Sequence, residues 1–144
     1  MENISLNKLV NNLKKKSDDI KTNLEKLDYI LDNNITNWRE FVKLNKKKYI
    51  RNLIYRDKVF EVLIINWLPG QHTKLHDHPK NGCLLKVLYG ELCEIRKNNQ
   101  ITENLLQTNK ISYMHSNLGK HIISNIGNKP AISIHVYSPP NYYK

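Results

Sequence analysis

The 144-residue chain contains 40% hydrophobic and 25% charged residues, a balance typical of a globular protein with one core. No apolar run reaches the roughly 20 residues that a bilayer-spanning helix needs. The first residues also lack the layout of a signal peptide, so we expect a cytoplasmic protein without a membrane partner. The net charge of +10 is compatible with nucleic-acid binding, but most of the 23 basic residues are lysines scattered along the chain. That distribution favours a solvated surface and no nucleic-acid partner.

Residues 1–45 carry apolar residues at helical spacing, which predicts two or three N-terminal helices. Ser17 before Asp18-Asp19 is interpreted as the N-cap of the second helix, and Thr36 as the cap of a short third helix ending near Val42. The two apolar stripes are Leu6, Leu9, Val10 and Leu13, followed by Ile20, Leu24, Leu27 and Leu31.

Residues 46–144 instead follow the spacing of β-strands. Strands are predicted over 49–55, 59–67, 84–89 and 131–137, with hairpin turns at Asn98-Asn99 and Gly127-Asn128. In the last strand the side chains of Ser133, His135 and Tyr137 fall on one face because alternate residues point the same way. A helical layer followed by many short strands predicts one mainly β domain, residues 1–144, built as a small barrel.

His76 and His78 form the most informative pattern in the sequence. On a strand, two histidines separated by one residue place both imidazoles on one face, where they can bind one Fe, Zn, Cu or Ni ion. Two histidines at this spacing also occur by chance, so the pattern alone leaves a structural role open. Gly70 stands before the pair, and Cys83 and Gly90 follow it.

This spacing resembles the first motif of the cupin fold, with Cys83 at the position that usually holds a carboxylate. The segment Gly119-Lys120-His121-Ile122-Ile123-Ser124-Asn125 resembles the second cupin motif, with His121 as the third ligand. A three-histidine site with this cysteine resembles the cysteine dioxygenase family. Further resemblances lie in residues 49–53, in Asn66-Trp67 and in residues 133–140.

The resemblance implies a mononuclear non-haem Fe(II) held by His76, His78 and His121. The substrates would be L-cysteine, bound through sulfur and amine, and O2, with both oxygen atoms ending on sulfur. Arg51, assisted by Tyr49, would hold the substrate carboxylate. The resemblance assigns a catalytic role to Tyr137, which His135 and Ser133 would orient, and a thioether cross-link between Cys83 and Tyr137. Cys93, His72 and His115 receive no chemical role.

Three other interpretations remain open. With the resemblance, the chain can be a dioxygenase for another small thiol, such as 3-mercaptopropionate, or a cupin that binds metal without turnover. From its charge alone, it can also be a basic nucleic-acid-binding protein, although the scattered lysines disfavour this. Members of the family continue with further strands beyond the segment Ser138-Pro139-Pro140, and this chain ends shortly after it. We therefore expect a less closed pocket and an exposed sheet edge, consistent with a monomer or a weak dimer.

Overall fold

The computed structural model describes residues 2–142, which form two antiparallel sheets and a helical layer. The helices are α1 (Leu6–Lys14), α2 (Ser17–Asn23) and α3 (Asp28–Leu31). The strands are β1 (Asn3–Ile4), β2 (Asn34–Ile35), β3 (Ile50–Arg56), β4 (Glu61–Trp67), β5 (Gly82–Tyr89), β6 (Leu92–Lys97), β7 (Ile101–Leu106), β8 (Ile111–Met114), β9 (Lys120–Ser124) and β10 (Ala131–Ser138). The larger sheet has the order β3-β4-β10-β5-β8, the smaller has the order β7-β6-β9, and β1 pairs with β2 in parallel.

The central strands of the larger sheet are buried on both faces, and the two faces have different partners. On β10, Ile132, Ile134 and Val136 pack against the N-terminal helices as part of one apolar cluster. The alternate residues of the strand point into the space between the two sheets, where Tyr137 joins a second cluster. The period-2 pattern of β10 therefore separates a structural face from a polar, chemical face.

Buried Lys86 joins the helical layer to the larger sheet. Its ammonium donates hydrogen bonds to the carbonyl oxygens of Leu31 at 2.9 Å and Asn33 at 2.6 Å. These carbonyls lie at and just after the end of α3, where the helix leaves acceptors without partners of its own. The contact satisfies acceptors that would otherwise be buried unpaired.

Both predicted helix caps are wrong. Ser17 is the first residue of α2, and its hydroxyl donates to the carbonyl of Lys14 rather than accepting from the helix. Thr36 donates to the carbonyl of Ile4, and the predicted third helix is a 3₁₀ turn over Trp38–Phe41. In both places the hydroxyl donates to a backbone carbonyl instead of accepting from the helix, three residues back for Ser17 and 32 residues back for Thr36.

The predicted turn at Asn98-Asn99 joins the paired strands β6 and β7, as expected for a hairpin. The turn at Gly127-Asn128 joins β9 to β10, which belong to different sheets, so its interpretation as a hairpin is wrong. Within residues 2–142, no helix combines the length and apolar character that a membrane crossing requires.

Candidate metal centre and active site

His76 and His78 lie in an irregular segment between β4 and β5, not on a strand as predicted. The segment touches β9 through isolated bridges, one of which pairs His76 with His121 through two backbone hydrogen bonds of 3.1 Å. Gly70, with a φ of +86°, turns the chain at its start, and Pro79 has no N–H to extend a ladder. The histidines converge because this segment folds over β9, which carries the third imidazole.

The three imidazoles meet at their Nε2 atoms. His121 Nε2 lies 2.9 Å from His76 Nε2 and 2.9 Å from His78 Nε2, and the three candidate ligand atoms lie within 4.8 Å of one another. The Nδ1 atoms of His76 and His121 face a carbonyl and a carboxylate, which accept hydrogen bonds, so each Nδ1 carries the proton. Two Nε2 lone pairs therefore face each other, an arrangement that fits a bound cation.

The surroundings of His76 and His78 favour the neutral form of the imidazole, which is the form that binds a metal. Burial, followed by the neighbouring His121, lowers the pKa of His76 to about 4 and that of His78 to about 2. Both imidazoles are therefore neutral near pH 7, the charge state in which histidine binds a metal ion.

Glu94 is the site residue that the sequence interpretation missed. Its Oε2 accepts a hydrogen bond of 2.8 Å from His121 Nδ1, and the residue is only 1% exposed. Burial opposes ionisation, but the hydrogen bond and charge of His121 and the charge of Arg96 outweigh it and lower the pKa of Glu94. A signal was present, since alternation along β6 places Glu94 on the same inward face as Leu92. An acidic residue at a core-facing position needs a partner.

A cavity of about 310 Å³ opens beside the three histidines. Tyr49 stacks on Trp67 in its wall with ring centroids 4.7 Å apart. The guanidinium carbon of Arg51 lies 5.8 Å from the ring centroid of Tyr137. Among the described residues that line the cavity, Arg51 and Lys74 carry a positive charge and none is acidic. The charge of the cavity therefore favours an anionic ligand.

A chain of hydrogen bonds runs along the inward face of β10. Trp67 Nε1 donates to Ser133 Oγ at 3.0 Å, Ser133 Oγ lies 2.7 Å from His135 Nε2, and His135 Nδ1 lies 3.0 Å from the Tyr137 hydroxyl. The indole only donates, so it occupies one acceptor site of the Ser133 hydroxyl. His135 links this hydroxyl, through Nε2, to the Tyr137 hydroxyl, through Nδ1.

We expect the metal-free protein to lose stability below pH 6.5, partly through His135. Burial, followed by the charge of Arg51, holds the pKa of His135 well below its ordinary value, so the unfolded chain binds a proton that the folded chain excludes. The stability contributed by keeping His135 neutral is fully present above pH 6.5 and is lost progressively as pH falls below that value. The free energy of unfolding, measured with urea at several pH values, should depend less steeply on pH in His135→Asn than in wild type. Parallel curves would contradict the assignment.

Cys83 and Tyr137 are direct partners across the β5–β10 pair, with both side chains buried. Burial raises the pKa of the Cys83 thiol far above its ordinary value, although its hydrogen bond with Tyr137 acts in the opposite direction. Cys93 points elsewhere, towards Glu103. His72 lines the cavity but does not belong to the three-histidine cluster, and His115 accepts a backbone hydrogen bond from Asn117.

Comparisons with known proteins support both the fold and the family resemblance. The sequence model of the family described as cysteine dioxygenase type I matches residues 3–143. Human cysteine dioxygenase type 1 is 32% identical over 132 residues, an alignment that covers 82% of this chain but only 66% of the human protein.

A Klebsiella pneumoniae protein with a double-stranded β-helix domain is 26% identical, with a TM-score of 0.62 over 76% of this chain and 92% of that chain. A cupin protein from Desulfovibrio desulfuricans is 16% identical, with a TM-score of 0.52 over 71% of this chain and 93% of that chain. The predicted cupin fold is thereby confirmed.

Proposed function

We propose that this chain, which belongs to the cysteine dioxygenase type I family, is an Fe(II)-dependent thiol dioxygenase that converts free L-cysteine to cysteine sulfinic acid. The observation that carries the proposal is the cluster of three imidazoles, without a carboxylate among them, beside a cavity lined by Arg51. In the reaction the thiol gains both atoms of O2, so that sulfur is oxidised by four electrons and no other reductant is required.

Iron is compatible with this donor set and is the metal that the proposed oxygen chemistry requires. His76, His78 and His121 would hold it, and neutral imidazole suits iron as well as other transition metals. When bound, a mononuclear non-haem Fe(II) supplies open coordination positions for a thiolate and for O2. The protein would keep the imidazoles neutral and bring the thiol to the metal.

Arg51 would select and orient the substrate. Its planar guanidinium can accept a carboxylate through two parallel hydrogen bonds. Tyr49 stacks on Trp67 in the adjacent wall of the cavity. Its hydroxyl would donate a second hydrogen bond to the substrate carboxylate. This arrangement favours a thiol that carries a carboxylate over one that lacks it.

Tyr137 would act as the hydrogen-bond donor or acid at the reacting centre. The hydrogen-bonded chain from Trp67 through Ser133 and His135 holds the phenol in place beside the cavity. Ser133 is not among the described residues that line the cavity, and His135 lines it beside Tyr137. Because both act on the phenol through the hydrogen-bonded chain, we propose positioning roles for Ser133 and His135 and a catalytic role for Tyr137.

The function is tested by aerobic incubation of the iron-loaded protein with cysteine. We expect stoichiometric O2 uptake and cysteine sulfinate, detected by mass spectrometry, with slower turnover of cysteamine and 3-mercaptopropionate. Full iron occupancy without sulfinate from any of the three thiols would support a cupin that binds metal without turnover. Equal turnover of all three thiols would remove cysteine selectivity from the proposal.

We further propose that turnover produces a thioether between Cys83 Sγ and a ring carbon of Tyr137. The residues face each other across paired strands. The S–H bond and one ring C–H bond break, the C–S bond forms, and O2 takes up the two electrons and two protons as H2O2, so that the mass of the protein falls by about 2 Da. Intact-mass measurement should show this loss in wild type and Cys93→Ser but not in Cys83→Ser. A wild-type protein that keeps its full mass after many turnovers would contradict the cross-link.

A further inference from the structure

The three candidate ligands differ in what holds their second nitrogen. His121 Nδ1 lies 2.8 Å from a carboxylate oxygen of Glu94, whereas His76 Nδ1 lies 2.7 Å from the carbonyl oxygen of Lys74. His78 Nδ1 is buried, and no hydrogen-bond partner is found for it among the described residues. His121 is thus a candidate ligand whose Nδ1 faces a buried carboxylate.

Glu94 is itself held in one orientation. Its Oε1 accepts from Ser112 Oγ at 2.9 Å and from Arg96 Nε at 3.2 Å. Arg96 also donates through Nη2 to Ser112 Oγ at 3.1 Å and to the carbonyl of Tyr113 at 2.7 Å. With Oε1 fully occupied by these donors, Oε2 is directed at His121.

This cluster also bridges the two sheets next to the metal centre. Glu94 and Arg96 lie on β6 of the smaller sheet, whereas Ser112 and Tyr113 lie on β8 at the edge of the larger one. Arg96 is also the direct partner of His121 in the β6–β9 pair. The position of the third ligand relative to the larger sheet thus depends on these side-chain contacts.

We propose that Glu94, clamped by Ser112 and Arg96, is the positioning residue of the metal centre: it fixes His121 as the Nδ1–H tautomer, with the Nε2 lone pair facing the cluster, and thereby sets how tightly the site retains its metal. A carboxylate behind a ligating imidazole fixes its orientation and raises its basicity. Glu94 also supplies one negative charge, which partly balances a divalent cation in a site whose three ligands are neutral. The inference rests on the metal centre of the proposed function, but not on the identity of the thiol.

Two substitutions separate the hydrogen bond from the charge. Glu94→Gln removes the charge and keeps an oxygen that can accept from His121, whereas Glu94→Leu removes both at similar volume. Ser112→Ala keeps Glu94 and removes one of the groups that clamp it. Glu103→Gln is the matched control, since it removes a carboxylate from the neighbouring strand β7, opposite Ile95, without touching His121.

The affinity for Co²⁺, followed by visible absorption in competition with a chelator, is the first measurement. Glu94→Leu should bind about 10- to 100-fold more weakly than wild type, as expected for the loss of a group that supports a ligand. Glu94→Gln should fall between the two, and Glu103→Gln should match wild type. Wild-type affinity in both Glu94 variants overturns the inference and leaves the proposed function standing. Absence of Co²⁺ binding by wild type would overturn both.

The tautomer of His121 in the metal-free protein is the second measurement. Nitrogen-15 correlation spectra should show the Nδ1–H form in wild type, and a shift towards the Nε2–H form in Glu94→Leu. A purely structural role for Glu94 would leave the tautomer unchanged. If Glu94→Leu does not fold, Glu94→Gln and Ser112→Ala decide the question through the Co²⁺ titration, and wild-type affinity in both overturns the inference.

Discussion

His121→Ala is expected to abolish iron retention after gel filtration of the loaded protein. Its Nε2 lies 2.9 Å from each of the other two candidate ligand atoms, so it is the imidazole common to both contacts. Without it, His76 and His78 remain on a segment that has no continuous ladder to support them. Metal analysis by mass spectrometry measures iron per chain, which should fall close to zero.

His115→Ala is the matched control for that experiment, because it removes a histidine that lies outside the cluster. It should keep the iron content of wild type. Normal iron content in His121→Ala would remove the third ligand from the proposed centre. A parallel loss of iron in both variants would instead point to a general loss of folding, which circular dichroism would reveal.

Arg51→Leu is expected to lower kcat/KM for cysteine by roughly 100-fold. The variant loses charge-assisted hydrogen bonds worth about 3 kcal/mol, and each 1.4 kcal/mol corresponds to about a tenfold change in kcat/KM. Cysteamine has the thiol and amine of cysteine but no carboxylate, so its kcat/KM should change little. Steady-state O2 uptake with both thiols measures the two effects separately.

Arg39→Leu is the control for the change in net charge, since Arg39 lies over the ring of Trp38, away from the residues that line the cavity. It should leave both thiols unaffected. An equal fall in kcat/KM for cysteine and cysteamine in Arg51→Leu would contradict a carboxylate contact. It would indicate that Arg51 acts on the pocket as a whole, for example through its position beside Tyr137.

The parts of the site that could be predicted from the sequence depend on local periodicity or on family motifs. Ser133, His135 and Tyr137 were placed together because alternation in a strand is independent of tertiary detail. The spacing of His76 and His78 from their flanking glycines resembled the cupin motif closely enough to suggest the third ligand, His121. None of these inferences needed the path of the chain between the elements.

The remaining parts depend on contacts between distant segments. Glu94 and His121 are 27 residues apart and meet only through the β6–β9 pair. The strand predicted for the two nearby histidines was wrong because an extended pattern does not show whether a neighbouring strand is available to pair with it. The same limit applies to Thr36, whose acceptor, the carbonyl of Ile4, lies 32 residues away.

The irregular segment between β4 and β5 has a consequence for the energetics of metal binding. Its backbone reaches β9 through bridges at His72 and His76, so it can detach without breaking either sheet. A metal ion shared between this segment and His121 would suppress that local opening, and part of the binding free energy would go into ordering the segment. Amide hydrogen exchange of residues 68–81 should therefore slow on metal loading much more than exchange in the core strand β10.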